Sequence, residues 1–213
     1  MLFHKLVYTS TRFVLTLAAL SLLLIFNQQA AVAEQANEDA HHDHHHHHAV
    51  APGVKRTEAS YSVPQVTLIN QQGKQVSLTE LLNSDQPVML NFIFTSCTAI
   101  CPAMSATFAS VQKNLGSDSD RVRMISVSID PEYDTPDALN AYARRFKAGP
   151  QWEFLTGSLD DSVAVQKAFD ADRGDKMNHA PMTLIRATPD SQWLRIEGFA
   201  RADELAEEIR GML

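Results

Sequence analysis

Two cysteines are all that the 213 residues contain, and they stand four positions apart in Phe94-Thr95-Ser96-Cys97-Thr98-Ala99-Ile100-Cys101-Pro102. That separation lets the sulfurs meet within one turn, where they can close a disulfide, exchange with one, or chelate a single soft metal ion. A purely structural disulfide is the bland reading, and so short a loop would remove little entropy from the unfolded chain. Of nine histidines, His4 stands near the start, and seven fall in the tract His41-His42-Asp43-His44-His45-His46-His47-His48. Only His179 lies in the remainder of the chain. Two thiolates and one imidazole make a soft, low-coordinate set that suits Cu(I) and can also hold Cu(II), whereas a structural zinc wants a fourth protein ligand. Met104, Met177 and Met182 are near enough in sequence to be weighed as weak thioether donors, but their helical and strand spacing assigns them to core packing.

These side chains need elements to hold them. The apolar run 87–94 (PVMLNFIF) reads as a buried strand leading into the thiols. A helix follows, because Met104, Phe108, Val111 and Leu115 recur at i, i+4, i+7 and i+11 on one face. Cys101 is expected as its N-cap and Pro102 as its first residue, where a missing N–H costs nothing. Both thiols then sit at a strand-to-helix junction, where free N–H groups and the positive end of the helix dipole stabilise a thiolate.

The rest of the chain supplies a sheet and its covering helices. Strands are expected at 63–69 and 75–78 across a turn at Gln72-Gly73, with a helical turn at 79–82. The run 122–129 (VRMISVSI) reads as a second core strand ending at Asp130-Pro131. A loop to Pro136 hands over to a helix with Thr135 as N-cap and Pro136 first, and Leu139, Tyr142, Ala143 and Phe146 form its inner face. Strand 152–156 precedes a helix to about residue 169, opened by Ser158 with Asp161 in the manner of a capping box. After a polar loop at 170–178 come a strand at 181–187, a turn, a paired strand at 193–198 and a closing amphipathic helix at 202–212. That order makes an α/β sandwich: a central mixed sheet with flanking helices. It resembles the thioredoxin fold, which carries its dithiol at the end of the first core strand. The resemblance brings the loop 177–181 against the dithiol, with His179 on it and Pro181 as the candidate for a cis proline.

The N-terminal segment sets the compartment. Lys5 and Arg12 precede an apolar run at 13–26, then polar residues and Ala31-Val32-Ala33. Residues 1–33 read as a secretory signal peptide cleaved between Ala33 and Glu34, the rival being an uncleaved anchor. The expected location is the periplasm of a Gram-negative bacterium, or the outer face of its inner membrane if the segment stays, the only case with membrane contact. Unpaired thiols in such an oxidising compartment are expected to be cycled or metallated. Residues 34–60 are poor in large apolar side chains and read as a disordered arm, with His41, His42 and His44 to His48 as a loose collector of copper, zinc or nickel. The folded domain is expected from 61 to 213. The whole chain holds 18 Lys and Arg against 25 Asp and Glu. Removing residues 1–33 takes two basic groups and no acid, leaving 16 against 25 and a net charge of −9. Nucleic acid is excluded as a partner on that balance.

The motifs together resemble the Sco/SenC family of copper-binding, thioredoxin-like proteins that assist cytochrome c oxidase assembly. The match runs from Cys97 through Cys101-Pro102, through Ser128-Ile129-Asp130-Pro131-Glu132 and Asp134-Thr135-Pro136, to His179. The resemblance implies that Cys97, Cys101 and His179 are copper ligands and that the partner is the oxidase subunit bearing the copper A site, or another periplasmic copper or thiol protein. The chain departs from the family's usual pattern at Ala99, where an acidic residue is common, and at Tyr133, where Arg is common. A copper metallochaperone without turnover of its own is the first expectation. A thiol-disulfide oxidoreductase using Cys97 and Cys101 as a redox-active pair is the second.

Overall fold

The computed structural model describes residues 53–213. The expectations for the leader at 1–33 and for the histidine tract lie outside the described residues. Eight strands form one sheet: β1 (Lys55–Ala59), β2 (Thr67–Asn70), β3 (Gln75–Ser77), β4 (Val88–Ile93), β5 (Arg123–Ser128), β6 (Trp152–Thr156), β7 (Met182–Arg186) and β8 (Trp193–Glu197). Their order across the sheet is β1-β8-β7-β4-β5-β6-β2-β3. β4, β5 and β6 run parallel, and every other pairing is antiparallel. The helices are α1 (Leu78–Leu82), α2 (Ile100–Leu115), α3 (Pro136–Arg145), α4 (Leu159–Ala168) and α5 (Ala202–Arg210).

Every residue of β4 is buried, as a strand covered on both faces must be, and this explains why it is apolar but for Asn91, whose amide oxygen accepts from the Ser126 hydroxyl. Alternate residues feed two cores. Met89 and Ile93 pack with Phe108 and Val111 of α2, Leu139 of α3 and Leu205 and Ile209 of α5. Leu90 and Phe92 pack on the other face with Leu78 and Leu82 of α1 and Val165 of α4. The four apolar residues predicted for the inner face of α2 are all buried.

Local signals fix most helix starts. Thr135 accepts from the Ala138 N–H with Pro136 at N1, and Ser158 accepts from the Asp161 N–H, so both predicted caps stand. The start of α2 differs from expectation. Ala99 is its N-cap, without a side-chain hydrogen bond, and Cys101 is already the second helical residue. The reason is local: Cys97 Sγ sits at the helix mouth and takes the N–H that a capping side chain would.

The fold also begins earlier than residue 61. β1, inside the stretch read as part of the arm, pairs along its whole length with β8, from Lys55 opposite Glu197 to Ala59 opposite Trp193. Arg56 anchors it to α5 through Glu208 at 3.0 Å and Glu204 at 3.3 Å. An edge strand with one mixed face shows no apolar alternation, so composition hides it. β2 is shorter than the predicted 63–69, and Pro64 has no N–H to offer a ladder. The predicted turn is present: Gly73 at φ +76° donates its N–H to the Asn70 carbonyl.

Candidate metal centre

β4 delivers the thiols to the end of the sheet. Beyond it the Cys97 N–H donates to the Phe94 carbonyl at 3.1 Å, closing a turn that brings Cys97 to the first turn of α2. There the Cys101 N–H points at Cys97 Sγ, 3.4 Å away. Both cysteines are free thiols; Cys97 is partly exposed and Cys101 is fully buried. Burial works against the Cys97 thiolate, yet the N–H groups of Cys101 and Ala99, the Cys101 thiol and the Ile100 N–H together outweigh it and hold the pKa below the ordinary thiol value. Burial pushes Cys101 up to about 12; the Phe94 backbone opposes this, and Cys97 and the Asp134 carboxylate add to it. Cys97 is the more acidic and more reachable sulfur, and Cys101 keeps its proton until something replaces it.

His179 follows a short 3₁₀ turn, Lys176–Asn178, and is buried just before β7. Its ring bonds to the backbone of Phe92 on β4, an N–H to carbonyl contact that leaves the second ring nitrogen with its lone pair. Burial lowers its pKa, and the nearby Arg173 lowers it further against the Phe92 contact, so the imidazole is neutral at pH 7. Cys97 and His179 line one cleft of ≈ 190 Å³, together with Phe94, Ala99, Ile100 and Met177. Cys101 lies behind Cys97. Among the described residues no three His, Cys, Asp or Glu side chains are drawn close enough to hold a metal ion as they stand.

Met104 and Met182 are core residues, as their spacing implied. Met177 is not: its side chain is 74% exposed at the cleft. It belongs to a turn whose register owes nothing to the strand that follows. Pro181 is trans, like every peptide bond among the described residues, so the loop lines the cleft beside Cys97 without the expected cis proline.

Sequence reasoning gave no role to the residues that brace the cleft. Lys176, three positions before His179, binds Asp130 at 2.6 Å and lies over the Tyr133 ring at 4.8 Å. The loop carrying His179 is thus tied to the loop 130–136. Tyr133, where the resemblance led to an expectation of Arg elsewhere in the family, is 69% exposed and presents its ring as the partner of this lysine. The signal available in sequence was the Asp-Pro-Glu-Tyr-Asp-Thr-Pro motif itself.

The state of His179 gives a pH expectation. Its folded pKa is depressed, so below the unfolded value of about 6.5 the unfolded chain binds more protons at this site. The stability contributed by the buried neutral ring is therefore complete above that pH and is lost as pH falls. The metal-free protein should melt at progressively lower temperature from pH 7 to pH 5, and His179→Gln should flatten the part of that slope due to this ring. Equal slopes in thermal melts of the two proteins would refute the assignment.

Comparison with known proteins gives a consistent result. The family profile described as SCO1/SenC matches residues 54–213. The SCO1 protein homolog of Bacillus subtilis is 41% identical over 105 residues, 49% of this chain and 53% of that protein. The mitochondrial SCO1 homolog 1 of Arabidopsis thaliana is 30% identical over 125 residues, 57% of this chain and 35% of that protein. The chain thus spans about half, or less, of the length of these relatives. Among solved structures, BsSco, described as a member of the Sco family of cytochrome c oxidase assembly proteins with a disulfide switch, superposes with a TM-score of 0.61 at 32% identity. That match covers 73% of this chain and 95% of BsSco. ScoI of Bradyrhizobium japonicum with copper bound shares the fold, with a TM-score of 0.60 at 24% identity over 71% of this chain and all of that one.

Proposed function

The chain belongs to the SCO1/SenC family, and from that membership we propose that it is a periplasmic copper metallochaperone. It takes one copper ion as cargo on Cys97, Cys101 and His179 and delivers it to the copper A site of cytochrome c oxidase. The observation that carries this reading is one cleft lined by a partly exposed, acidified thiol and a buried neutral imidazole, with a second, buried thiol beside the first. Cys97 is the entry ligand, because it is the partly exposed sulfur and the one whose thiolate the surrounding hydrogen-bond donors favour. Cys101 joins by giving up its proton, so loading releases acid. His179 completes the set with the nitrogen not engaged by Phe92, and its loop must shift toward the dithiol to do so. The tract of His41, His42 and His44 to His48 serves the same cargo as a loose collector upstream of the tight site.

One observation favours a second reading. A partly exposed thiol of lowered pKa four residues before a high-pKa buried one is also how an attacking and a resolving cysteine are arranged. A reductase lacking Cys101 accumulates a covalent mixed disulfide with its client, whereas one lacking Cys97 forms none. A chaperone needs both sulfurs as ligands and fails equally without either. We expect Cys101→Ser to trap little of the oxidase copper A domain under non-reducing electrophoresis, and both serine variants to fail alike in oxidase assembly. Abundant trapping by Cys101→Ser, absent with Cys97→Ser, would transfer the assignment to thiol exchange.

A further inference from the structure

Asp134 belongs to the loop that braces the cleft, yet neither its sequence motif nor the ligand set explains it. Its side chain is wholly buried. Both carboxylate oxygens face donors: the Thr95 N–H at 3.1 and 3.2 Å, the Thr95 hydroxyl at 2.6 Å and the Ser128 hydroxyl at 2.6 Å. Each of these partners is neutral. A buried carboxylate is costly unless every lone pair is met, and apolar packing of similar volume commonly stabilises as well. Its use here therefore calls for a reason other than stability.

The reason lies in what Thr95 does. It follows Phe94, whose carbonyl accepts the Cys97 N–H, and both its N–H and its hydroxyl are spent on Asp134. The turn 94–97 is therefore anchored at its start by Asp134 and at its end by its own hydrogen bond. Asp134 is itself held, its N–H donating to the Asp130 carbonyl at 2.9 Å, and Ser128 Oγ accepts the Asp130 N–H at 3.0 Å. The segment leaving β4 and the end of β5 thus meet on one carboxylate, near enough to Cys101 to act on its thiol. We propose that Asp134 is a positioning residue for Cys97: it fixes the turn that aims Cys97 Sγ at the N–H groups opening α2 and at an incoming metal ion. The copper part of this inference rests on the function proposed above. Groups that orient a metal ligand from behind typically contribute about 10- to 100-fold in metal affinity.

Asp134→Asn tests it, because an amide replaces one acceptor oxygen by an N–H donor where the Thr95 N–H, 3.1 and 3.2 Å from the two oxygens, cannot accept. In the full chain, Cu(I) affinity measured by chelator competition should fall about 10- to 100-fold. The thiolate-to-Cu(II) absorption band should shift or weaken. In the reduced metal-free protein, the rate of Cys97 alkylation at fixed pH should change several-fold. Thr95→Val removes only the hydroxyl and should give a smaller change of the same kind. Asp134→Asn with Thr95→Val should be no worse than Asp134→Asn alone, since both act through one contact. A structural staple alone would lower the melting temperature of these variants and leave affinity, band and alkylation rate at wild-type values; that outcome overturns the proposal. If Asp134→Asn does not fold, the same readouts on Thr95→Val decide. If wild-type protein binds no copper, the chaperone reading fails and the alkylation rates still decide the role of Asp134.

Discussion

Serine in place of either Cys97 or Cys101 is expected to lower Cu(I) affinity about a thousandfold or more, near 4 kcal/mol at 1.4 kcal/mol per tenfold. Cu(I) is a soft ion, and exchanging a thiolate for a hydroxyl that stays protonated removes both the charge and the polarisable donor. The two positions should fail alike for binding, although they differ as thiols. Cys97 supplies the more acidic thiol, and Cys101 the second sulfur without which Cu(I) has no linear dithiolate pair. Competition with a chromophoric Cu(I) chelator measures the loss. A double serine variant that still binds Cu(I) stoichiometrically at wild-type affinity would remove the dithiol from the site.

His179→Ala should separate the two oxidation states. Two thiolates hold Cu(I) in a linear arrangement, so its affinity should fall by about tenfold or less, whereas Cu(II) is left underligated and should lose about a hundredfold or more. The ring is suited to this role once its loop closes on the dithiol: it is buried and neutral, held by the Phe92 backbone, and lines the same cleft as Cys97. Equal losses for both ions would mean that His179 shapes the cleft without ligating. Because the histidine tract would itself take up Cu(II), the comparison is made in chains lacking residues 41–48, with and without the substitution.

Where the chain's physics is local, sequence sufficed. The run 87–94 reads as a buried strand, and 88–93 is one, buried along its whole length; Thr135-Pro136 and Ser158 with Asp161 announced helices that start there. What escaped depends on contacts between distant segments. β1 is held by its ladder to β8 and by Arg56 to α5, and nothing in Lys-Arg-Thr-Glu-Ala advertises either. The N-cap shifted from Cys101 to Ala99 because a sulfur, not a capping oxygen, occupies the mouth of α2. At the site, scarcity made Cys97, Cys101 and His179 legible, since each is nearly alone of its type in the domain. The bracing side chains Asp134, Thr95, Asp130 and Lys176 are common types, and only the closeness of the β4 and β5 ends gives them a task.

The most direct test of the ligand set is copper K-edge X-ray absorption on the full chain carrying one Cu(I) per molecule. The soft dithiol should outcompete the seven imidazoles of the tract for this ion. The account predicts two sulfur neighbours and one nitrogen, with the nitrogen lost in His179→Ala and a sulfur lost in each serine variant. A first shell of nitrogen alone in the wild-type protein, unchanged by Cys97→Ser, would contradict it.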